Sequence, residues 1–420
     1  NGNTYISEPY EGSPAAEAGL RPGDRIIMID QDSTVGWNSS KVSDKLKGQQ
    51  GTKLKVTVVR PYVEDSVKSF EIVRRKIQIP SVPFYGIVKD NIGYVALSSF
   101  TDKSYNEVRD AVTDGEVHAR AILALNDRYP ADACSVIMDL TVEAEAFGAN
   151  IVFPENEVPS VTDTLVHDLA EIETLAIPTL ETGRVPQYLK ANRIVAEALG
   201  DKPLFAGCIG PFSLAGRLFG MTELMTALFT EPETVQLLLE KCTRFIGDYC
   251  MALKASGAQG VVIAEPAAGL VSNEDCSLYS SLYVRRIVEL VQDDHFLVVL
   301  HNCGNTGHCT EAMVETGSAG YHFGNQAGMV AALEACPADT LVMGNIDPVG
   351  LFKQASADEM YRATQELLNA TAAYPNFILS SGCDVPPETP HANIDALQKE
   401  ETLAAEWDLL LGRLRQTKNI

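Results

Sequence analysis

The spacing of apolar positions along the chain changes near residue 112. Before this point, short apolar runs alternate with polar residues, as in Lys53–Arg60, where Leu54, Val56 and Val58 share one face. A period of two is typical of strands with one buried face. After residue 112, strand-length apolar runs are separated by longer segments whose apolar residues recur with helical spacing. The pattern predicts a β-rich region followed by repeated strand–helix units.

The first region has a defined order of elements. The segment GSPAAEAGLRPGDRIIMID predicts a short Ala-rich helix that ends at Gly19, a Pro-Gly turn and a strand over Arg25–Asp30. A helix over Lys41–Leu46 and the alternating strand described above follow. We expect a small β-rich domain over residues 1–88.

The second region contains seven strand candidates, each an apolar run of strand length. They are Ser135–Leu140, Leu204–Ile209, Gly260–Glu265, Leu297–His301, Gly320–Phe323, Leu341–Asn345 and Phe377–Ser381. Strands that alternate with helices form a parallel sheet with the helices outside. Chemically distinctive side chains lie at the ends of most of these strands, which is where TIM barrels carry their active sites. We therefore predict an α/β fold of the TIM (β/α)8 type over residues 113–420.

One strand of an eight-stranded barrel is missing from this pattern. Asn150–Phe153 is short and lies too near the first candidate to complete a strand–helix unit. The barrel therefore either lacks its first strand or takes it from residues 89–112. In the second case Ile92–Phe100 is the strand and Tyr105–Val112 its helix, and the strand must pair with Ser135–Leu140.

Charged residues, cysteine and histidine are also distributed unevenly between the two regions. Residues 1–112 hold 15 Lys and Arg against 14 Asp and Glu, so nearly all of the net charge of −23 belongs to residues 113–420. This acidity disfavours nucleic acid as a partner. All nine Cys and all seven His also follow residue 112, and their spacing suggests free thiols in a reducing compartment. No apolar run approaches the roughly 20 residues of a membrane span, so we expect a soluble chain.

The segment His301-Asn302-Cys303 suggests a metal site. It is an H-x-C pair at the end of an apolar strand, and side chains two residues apart on a strand point the same way. A third ligand from another strand end would complete a three-ligand site with an open position, the arrangement of catalytic zinc. Cys383, in SSGCD after the last strand, is the candidate. Taken alone, a core His beside a core Cys explains the pair at least as well, because cysteine is often buried.

Five segments between residues 113 and 397 carry a family resemblance. They are TDGEVHARAILALNDRYPADACSVIMDLTVEAEAFGA, GPFSLAGRLFG, LHNCGNT, GNIDPV and SSGCDVPPETPHANIDAL. Together they resemble the methylcobamide:coenzyme M methyltransferases, a branch of the uroporphyrinogen decarboxylase superfamily. The resemblance implies that His301, Cys303 and Cys383 bind zinc, and that the zinc activates a thiol to accept a methyl group from a methyl-corrinoid. It also implies a small-molecule thiol such as coenzyme M, a corrinoid protein as partner, and a cytoplasmic location.

The resemblance and the strand-end positions together suggest roles for further residues. We expect Asp139 and Glu265 to be catalytic, with Glu265 also a candidate fourth ligand, and we expect Asp139, His322 and Asp347 to contact the cofactor. Supporting roles are predicted for other polar residues of these motifs, as helix caps, loop supports or core residues: Glu143, Glu145, Asn305, Thr306, His308 and Cys309.

The first region resembles a different family. GSPAAEAGLRPGDRI resembles the PDZ domain of carboxy-terminal processing peptidases, and NIGYVALSSFTDKSYNEVRDAV resembles the first strand and helix of their core. This implies binding of a peptide C-terminus at a sheet edge, and an exported location. The segments that carry the peptidase Ser and Lys are not recognisable after residue 112, so we expect no proteolysis. A natural fusion and an artificial chimera both fit the junction of these two partial resemblances.

Two alternatives to methyl transfer stay open. One is a tetrapyrrole decarboxylase of the same superfamily, which needs basic residues for the carboxylates of its substrate. The other is a PDZ-type peptide-binding module attached to an inactive barrel. Metal content separates methyl transfer from both, and peptide binding tests the second.

Overall fold

The computed structural model describes most of the chain, and the architecture below refers to these residues. They are residues 4–6, 13–21, 23–37, 39–60, 66–75, 84–89, 92–96, 104–129, 131–154, 158–386 and 389–397. The chain divides into two compact units, Asn1–Ser99 and Phe100–Ile420.

The first unit contains an antiparallel sheet whose inner face is the alternating apolar face predicted above. Leu54, Val56 and Val58 are buried, with Ile29 and Val42 from neighbouring elements. The sheet order is β1-β2-β4-β5, and β3 pairs with β2. The elements are β1 Thr4–Tyr5, α1 Pro14–Glu17, β2 Arg25–Ile29, β3 Asp32–Ser33, α2 Ser39–Leu46, β4 Lys53–Val59 and β5 Val67–Val73.

A separate hairpin follows this sheet. Its strands, β6 (Phe84–Lys89) and β7 (Ile92–Ala96), pair with each other in antiparallel register. β7 covers the first part of the candidate barrel strand Ile92–Phe100, and residues 97–100 of that candidate lie outside the described residues. Only two residues separate β6 from β7, so a hairpin closes with little loss of chain entropy.

The second unit is built on seven parallel strands that neighbour one another in chain order. They are β8 Cys134–Ser135, β11 Leu204–Ile209, β12 Gly260–Ala264, β13 Leu297–Asn302, β14 Gly320–Phe323, β15 Leu341–Ile346 and β16 Phe377–Ser381. The central strands are buried nearly throughout, as expected of parallel strands covered on both faces. Sequential parallel strands with helices around them confirm the prediction of a TIM-type barrel.

The eighth strand position is not filled by the described residues. No strand among them pairs with the free edges of β8 and β16. The short segment at Asn150–Phe153 instead forms a small hairpin, in which β9 (Ile151–Val152) pairs with β10 (Ser160–Val161).

Helices follow the strands and cover the sheet. The α-helices of this unit are α3 Ser104–Thr113, α4 Gly115–Arg128, α5 Val142–Phe147, α6 Leu169–Thr174, α7 Val185–Leu199, α8 Pro211–Phe219, α9 Met221–Thr230, α10 Pro232–Ala255, α11 Asn273–Cys276, α12 Leu282–Val291, α13 Thr310–Val314, α14 Met329–Ala335, α15 Ala357–Thr371 and α16 His391–Leu397. Pro266–Leu270 is a 3-10 helix, and Ser277–Ser281 and Pro348–Gln354 are π-helical. In the described part of the chain, no helix is both long and apolar enough to cross a membrane.

The first barrel strand is shorter than predicted. Ladder pairing covers Cys134 and Ser135, so only the first residue of the predicted Ser135–Leu140 lies in β8. Beyond β8, the backbone N–H of Ile137 donates to Nε2 of the buried His118 on α4, at 3.0 Å.

Candidate functional site

Three predicted metal ligands meet at the C-terminal edge of the parallel sheet. His301 lies near the end of β13, Cys303 follows that strand, and Cys383 follows β16. One donor atom from each lies within 4.8 Å of the other two. Nε2 of His301 and Sγ of Cys383 are 3.9 Å apart. The end of β13 therefore supplies two donors and the end of β16 the third. In the sheet, β14 and β15 lie between these two strands.

These donors fit a zinc ion. Zinc bonds of about 2.3 Å to sulfur and 2.0 Å to nitrogen in a tetrahedron separate ligand atoms by about 3.5 to 3.8 Å, close to the spacing present here. The hydrogen bond from Cys303 lowers the pKa of the Cys383 thiol, and His301 lowers it further. The site therefore favours a thiolate, the form that binds metals.

A chain of hydrogen bonds orients the imidazole of His301. The Ser380 hydroxyl donates to the backbone oxygen of Ser381 at 3.0 Å, so it accepts from Nε2 of His322 at 2.8 Å. Burial lowers the pKa of His322 to about 3, so its ring is neutral and Nδ1 accepts. Nδ1 of His301, 2.6 Å away, is then the donor. The lone pair of His301 is left on Nε2, the atom that faces Cys383.

Two glycines let the ligand loops approach each other. A Cβ on Gly324 would lie 2.7 Å from the backbone oxygen of Cys303. A Cβ on Gly382 would lie 2.5 Å from the backbone nitrogen of Asn325. Both distances are too short for carbon, so a side chain at either position would push Cys303 or Cys383 away from the other ligands.

The loop after Cys303 is held by Asn305, as predicted from its position. Its buried Oδ1 accepts from the backbone nitrogens of Gly307 (2.8 Å) and Cys309 (3.0 Å). Thr306 contacts His308 instead, 3.2 Å from hydroxyl to Nδ1. Cys309 is buried and its sulfur faces backbone oxygens, which fits the predicted structural role.

Glu265 lies at the end of β12 and holds a helix start rather than a metal. Its two carboxylate oxygens accept from the backbone nitrogens of Phe212 at 2.9 Å and Ser213 at 2.8 Å, in the first turn of α8. Burial raises the pKa of Glu265 to about 7, against the lowering effect of these donors. It is not one of the grouped metal donors in the described residues.

Asp139 is engaged in a buried ion pair that the sequence did not suggest. Its Oδ2 is 2.5 Å from Nη1 of Arg184, and its Oδ1 accepts from the backbone nitrogen and hydroxyl of Thr141. Arg184 also contacts Glu145 at 2.7 Å. Glu145 therefore pairs with an arginine from its place in the first turn of α5. Arg184 carries no local motif that would have identified it.

Asp347 caps a helix. Its Oδ1 accepts from the backbone nitrogens of Val349 and Gly350, both at 2.9 Å, at the start of Pro348–Gln354. Thus the structure brings together His301, Cys303, Cys383 and His322, whereas Asp139, Glu265 and Asp347 have other partners. Ser380 was missed, although its place three residues before Cys383 was visible in SSGCD.

Comparison with known proteins finds a matching family model for each of the two units. The family model for uroporphyrinogen decarboxylase (URO-D) matches residues 92–400, and that for the PDZ domain matches residues 5–60. The first match begins upstream of α3, earlier than the predicted barrel start at residue 113. The PDZ match agrees with the resemblance recognised in the first region.

Individual relatives are methyltransferases and decarboxylases. The methylcobamide:CoM methyltransferase MtbA of Methanosarcina acetivorans is 31% identical over 270 residues, covering 63% of this chain and 78% of the relative. MtbA of Methanosarcina mazei is 30% identical over 292 residues, covering 69% and 84%. A uroporphyrinogen decarboxylase of Anaeromyxobacter dehalogenans is 28% identical over 312 residues, covering 70% and 88%.

A solved structure agrees with the sequence relatives. A methyltransferase from Methanosarcina mazei aligns with a TM-score of 0.63 at 26% identity, over 69% of this chain and 85% of that chain. The family match spans well over half of the 420 residues. Over residues 92–400, the chain therefore belongs to the uroporphyrinogen decarboxylase (URO-D) family.

Proposed function

We propose that this chain transfers a methyl group from a methyl-corrinoid to a thiol such as coenzyme M, with zinc bound by His301, Cys303 and Cys383. The observation that carries the proposal is the convergence of these three donors at one edge of the sheet. It is supported by the similarity to two proteins named methylcobamide:CoM methyltransferase.

The residues of the site have distinct tasks in this proposal. When bound by these three residues, zinc would keep an open position and would supply the Lewis acidity that favours the thiolate form of a substrate thiol. His322 and Ser380 keep the lone pair of His301 on Nε2. Gly324 and Gly382 keep the two cysteine loops close.

The transfer itself is a displacement at carbon. The substrate sulfur loses its proton to solvent and attacks the methyl carbon. A sulfur–carbon bond forms as the cobalt–carbon bond breaks, and the electron pair of that bond stays on cobalt. The products are a thioether and a demethylated corrinoid, which a corrinoid protein partner would carry away.

The first test is zinc content, measured by elemental analysis on protein purified without added metal. We expect about one zinc per chain in the parent and almost none in Cys383→Ala, since two ligands hold the ion far more weakly than three. Cys336→Ala is the matched control, because Cys336 is buried outside the metal group and should leave zinc unchanged. A parent without zinc would contradict the proposal.

Activity is the second test. Methylcobalamin and a thiol are mixed with the parent, and the loss of methylcobalamin is followed by its absorbance. A decarboxylase of the same family is the alternative, with relatives at 28% identity or below. It predicts activity on a tetrapyrrole that is unchanged in Cys383→Ala.

For the N-terminal unit we propose binding of an extended peptide C-terminus. The PDZ match to residues 5–60 and the antiparallel sheet with helix α2 support it. In PDZ domains such a peptide adds to a sheet edge, and pockets select its side chains.

A further inference from the structure

Strands β14 and β15 stop pairing with each other before either strand ends. Their last paired residues are His322 and Met343, although β14 continues to Phe323 and β15 continues to Ile346. Both strands end at the edge of the sheet that carries the metal ligands. Beyond the last pair, a side chain joins the end of β15 to the segment that follows β14.

That side chain is Asn345, in the GNIDPV motif. Its amide nitrogen lies 2.9 Å from the backbone oxygen of Gly324 and 2.7 Å from that of Ala327. Both partners are carbonyl oxygens, which only accept, so the amide donates both of its hydrogens. The backbone nitrogen of Ala327 also donates to the oxygen of Gly324, at 3.1 Å. Asn345 therefore binds both ends of one turn, residues 324–327, which we name the spacer turn.

The spacer turn lies between the backbones of the two cysteine loops. On one side, a Cβ on Gly324 would lie 2.7 Å from the backbone oxygen of Cys303. On the other side, a Cβ on Gly382, the neighbour of Cys383, would lie 2.5 Å from the backbone nitrogen of Asn325. Neither contact leaves room for a methyl group, and closely packed backbones transmit displacement. A shift of the spacer turn would therefore move Cys303 or Cys383.

The carbonyl groups that Asn345 binds belong to buried residues. Gly324 and Ala327 are buried, and Asn345 is half-buried. A buried carbonyl that loses its donor is unfavourable, because bulk water does not replace the hydrogen bond. Without the amide of Asn345, the spacer turn would have to move to find another donor or to admit water.

We propose that Asn345 is a positioning residue for the metal centre: it holds the spacer turn in place and so sets the distance between the sulfur atoms of Cys303 and Cys383. The inference rests on the proposed function only for the identity of the metal. Bonds between zinc and sulfur have a narrow range of lengths, so two sulfur ligands bind one ion well only at a narrow range of separations.

The first test measures the spacing of the two sulfurs without a metal. Phenylarsine oxide bridges two thiols: two arsenic–sulfur bonds form, the arsenic–oxygen bond breaks, and the oxygen leaves as water with the two thiol protons. Cys303 and Cys383 are half-buried, whereas the other seven cysteines are buried. By mass spectrometry, we expect the metal-free parent to retain one arsenical per chain against a competing dithiol. Asn345→Leu should release it at about tenfold less dithiol, because the bridge depends on the proximity of both sulfurs.

The second test compares two metals of different size. Zinc and the larger cadmium ion are each titrated in competition with a chelator. We expect zinc affinity to fall about 10- to 100-fold in Asn345→Leu. Cadmium affinity should fall less, because a larger ion tolerates a wider separation of the sulfurs. An equal loss of affinity for both ions is the result of a general loosening of the fold and would contradict the proposal.

Further variants separate positioning from folding. Asn345→Asp keeps the size of the side chain but removes both donors, so it should behave as Asn345→Leu does. Asn345→Gln keeps the amide and should restore part of the arsenical retention. Asn192→Leu is the matched control, because buried Asn192 on α7 donates to the backbone oxygen of Leu253 on α10, and neither helix carries a metal ligand. It should lower the free energy of unfolding and leave arsenical and metal binding unchanged.

The positioning role and the zinc site fail in different ways. A parent without zinc, whose arsenical retention depends on Asn345, would reject the zinc site and keep the positioning role. Unchanged arsenical retention in Asn345→Leu that is folded by circular dichroism would reject the positioning role and keep the zinc site. A parent that does not retain the arsenical would show that the two sulfurs are not held together, and it would overturn the positioning role as well.

Discussion

At the scale of single residues, the candidate metal centre depends on which atoms carry protons. Ser380, His322 and His301 form one chain of hydrogen bonds, which ends at the unprotonated Nε2 of His301. The donor and acceptor in each hydrogen bond determine those in the next, because a hydroxyl has one hydrogen and a neutral imidazole has one N–H. The orientation and the tautomer of His301 are therefore determined by the protein and do not depend on a bound metal.

This chain predicts that His322 controls metal affinity. In His322→Leu, Nδ1 of His301 loses its acceptor, and we expect zinc affinity to fall about 10- to 100-fold. In His322→Asn, the amide oxygen can take the place of Nδ1, so most of the affinity should remain. The measurement is competition for zinc with a chromophoric chelator.

A second readout distinguishes orientation from general loss of structure. Cobalt(II) bound in place of zinc reports the ligand geometry through its visible spectrum, which should change in His322→Leu and stay close to the parent in His322→Asn. Equal zinc affinity in the parent and both variants would mean that His322 has no part in holding His301.

At the scale of elements, carboxyl and imidazole side chains bind backbone N–H groups at the start of several barrel units. Glu265 accepts from the first turn of α8, and Asp347 caps the helix that follows β15. His118 on α4 accepts the backbone N–H of Ile137 beyond β8. The contacts of Glu265 and His118 join elements that are distant in sequence, whereas the cap by Asp347 is local. The contact of His118 also requires a neutral imidazole, because Nε2 must accept.

His118 gives a prediction about stability and pH. Burial lowers the pKa of His118 to about 4, from about 6.5 in the unfolded chain. The folded state therefore binds fewer protons than the unfolded state between these values. The stabilisation is complete above about pH 6.5 and is lost as pH falls toward 4, by up to about 3 kcal/mol.

The measurement is the urea midpoint of unfolding at several pH values between 7.5 and 4.5. We expect the parent to lose more stability on acidification than His118→Gln, whose amide oxygen can accept from Ile137 without titrating. Parallel pH profiles in the two proteins would show that His118 does not contribute.

At the scale of the whole molecule, the chain combines two units with separate cores. The core of the first unit includes Ile29, Val56 and Val58, and that of the second is built on the seven-stranded sheet. The URO-D match and the PDZ match fall on residues 92–400 and 5–60 and do not overlap. Metal binding and peptide binding are therefore expected to be independent.

Whether metal binding and peptide binding are independent can be tested by adding labelled peptides to the full chain. A pool of fluorescein-labelled octapeptides with apolar C-terminal residues should raise fluorescence anisotropy when the terminal carboxylate is free, and much less when it is amidated. The zinc-free Cys383→Ala variant should bind the free-acid pool as the parent does. Equal binding of the amidated pool would contradict PDZ-type recognition.

The amino-acid sequence alone determined the positions of most strands and of the H-x-C pair at the end of β13, because local spacing of apolar and polar residues predicts both. Leu204–Ile209 and Gly320–Phe323 have the predicted bounds, and the H-x-C spacing predicted that His301 and Cys303 lie close together where β13 ends. Cys383 was a candidate third ligand from its position after the last strand, and the family resemblance favoured it over the alternative of buried core residues.

Only the tertiary structure decided which polar groups meet. His322 reaches His301 because the register of β13 and β14 sets these two residues side by side. Arg184 pairs with Asp139, although the two residues are 45 positions apart in sequence. Such contacts depend on the packing of distant elements, and local spacing cannot encode them.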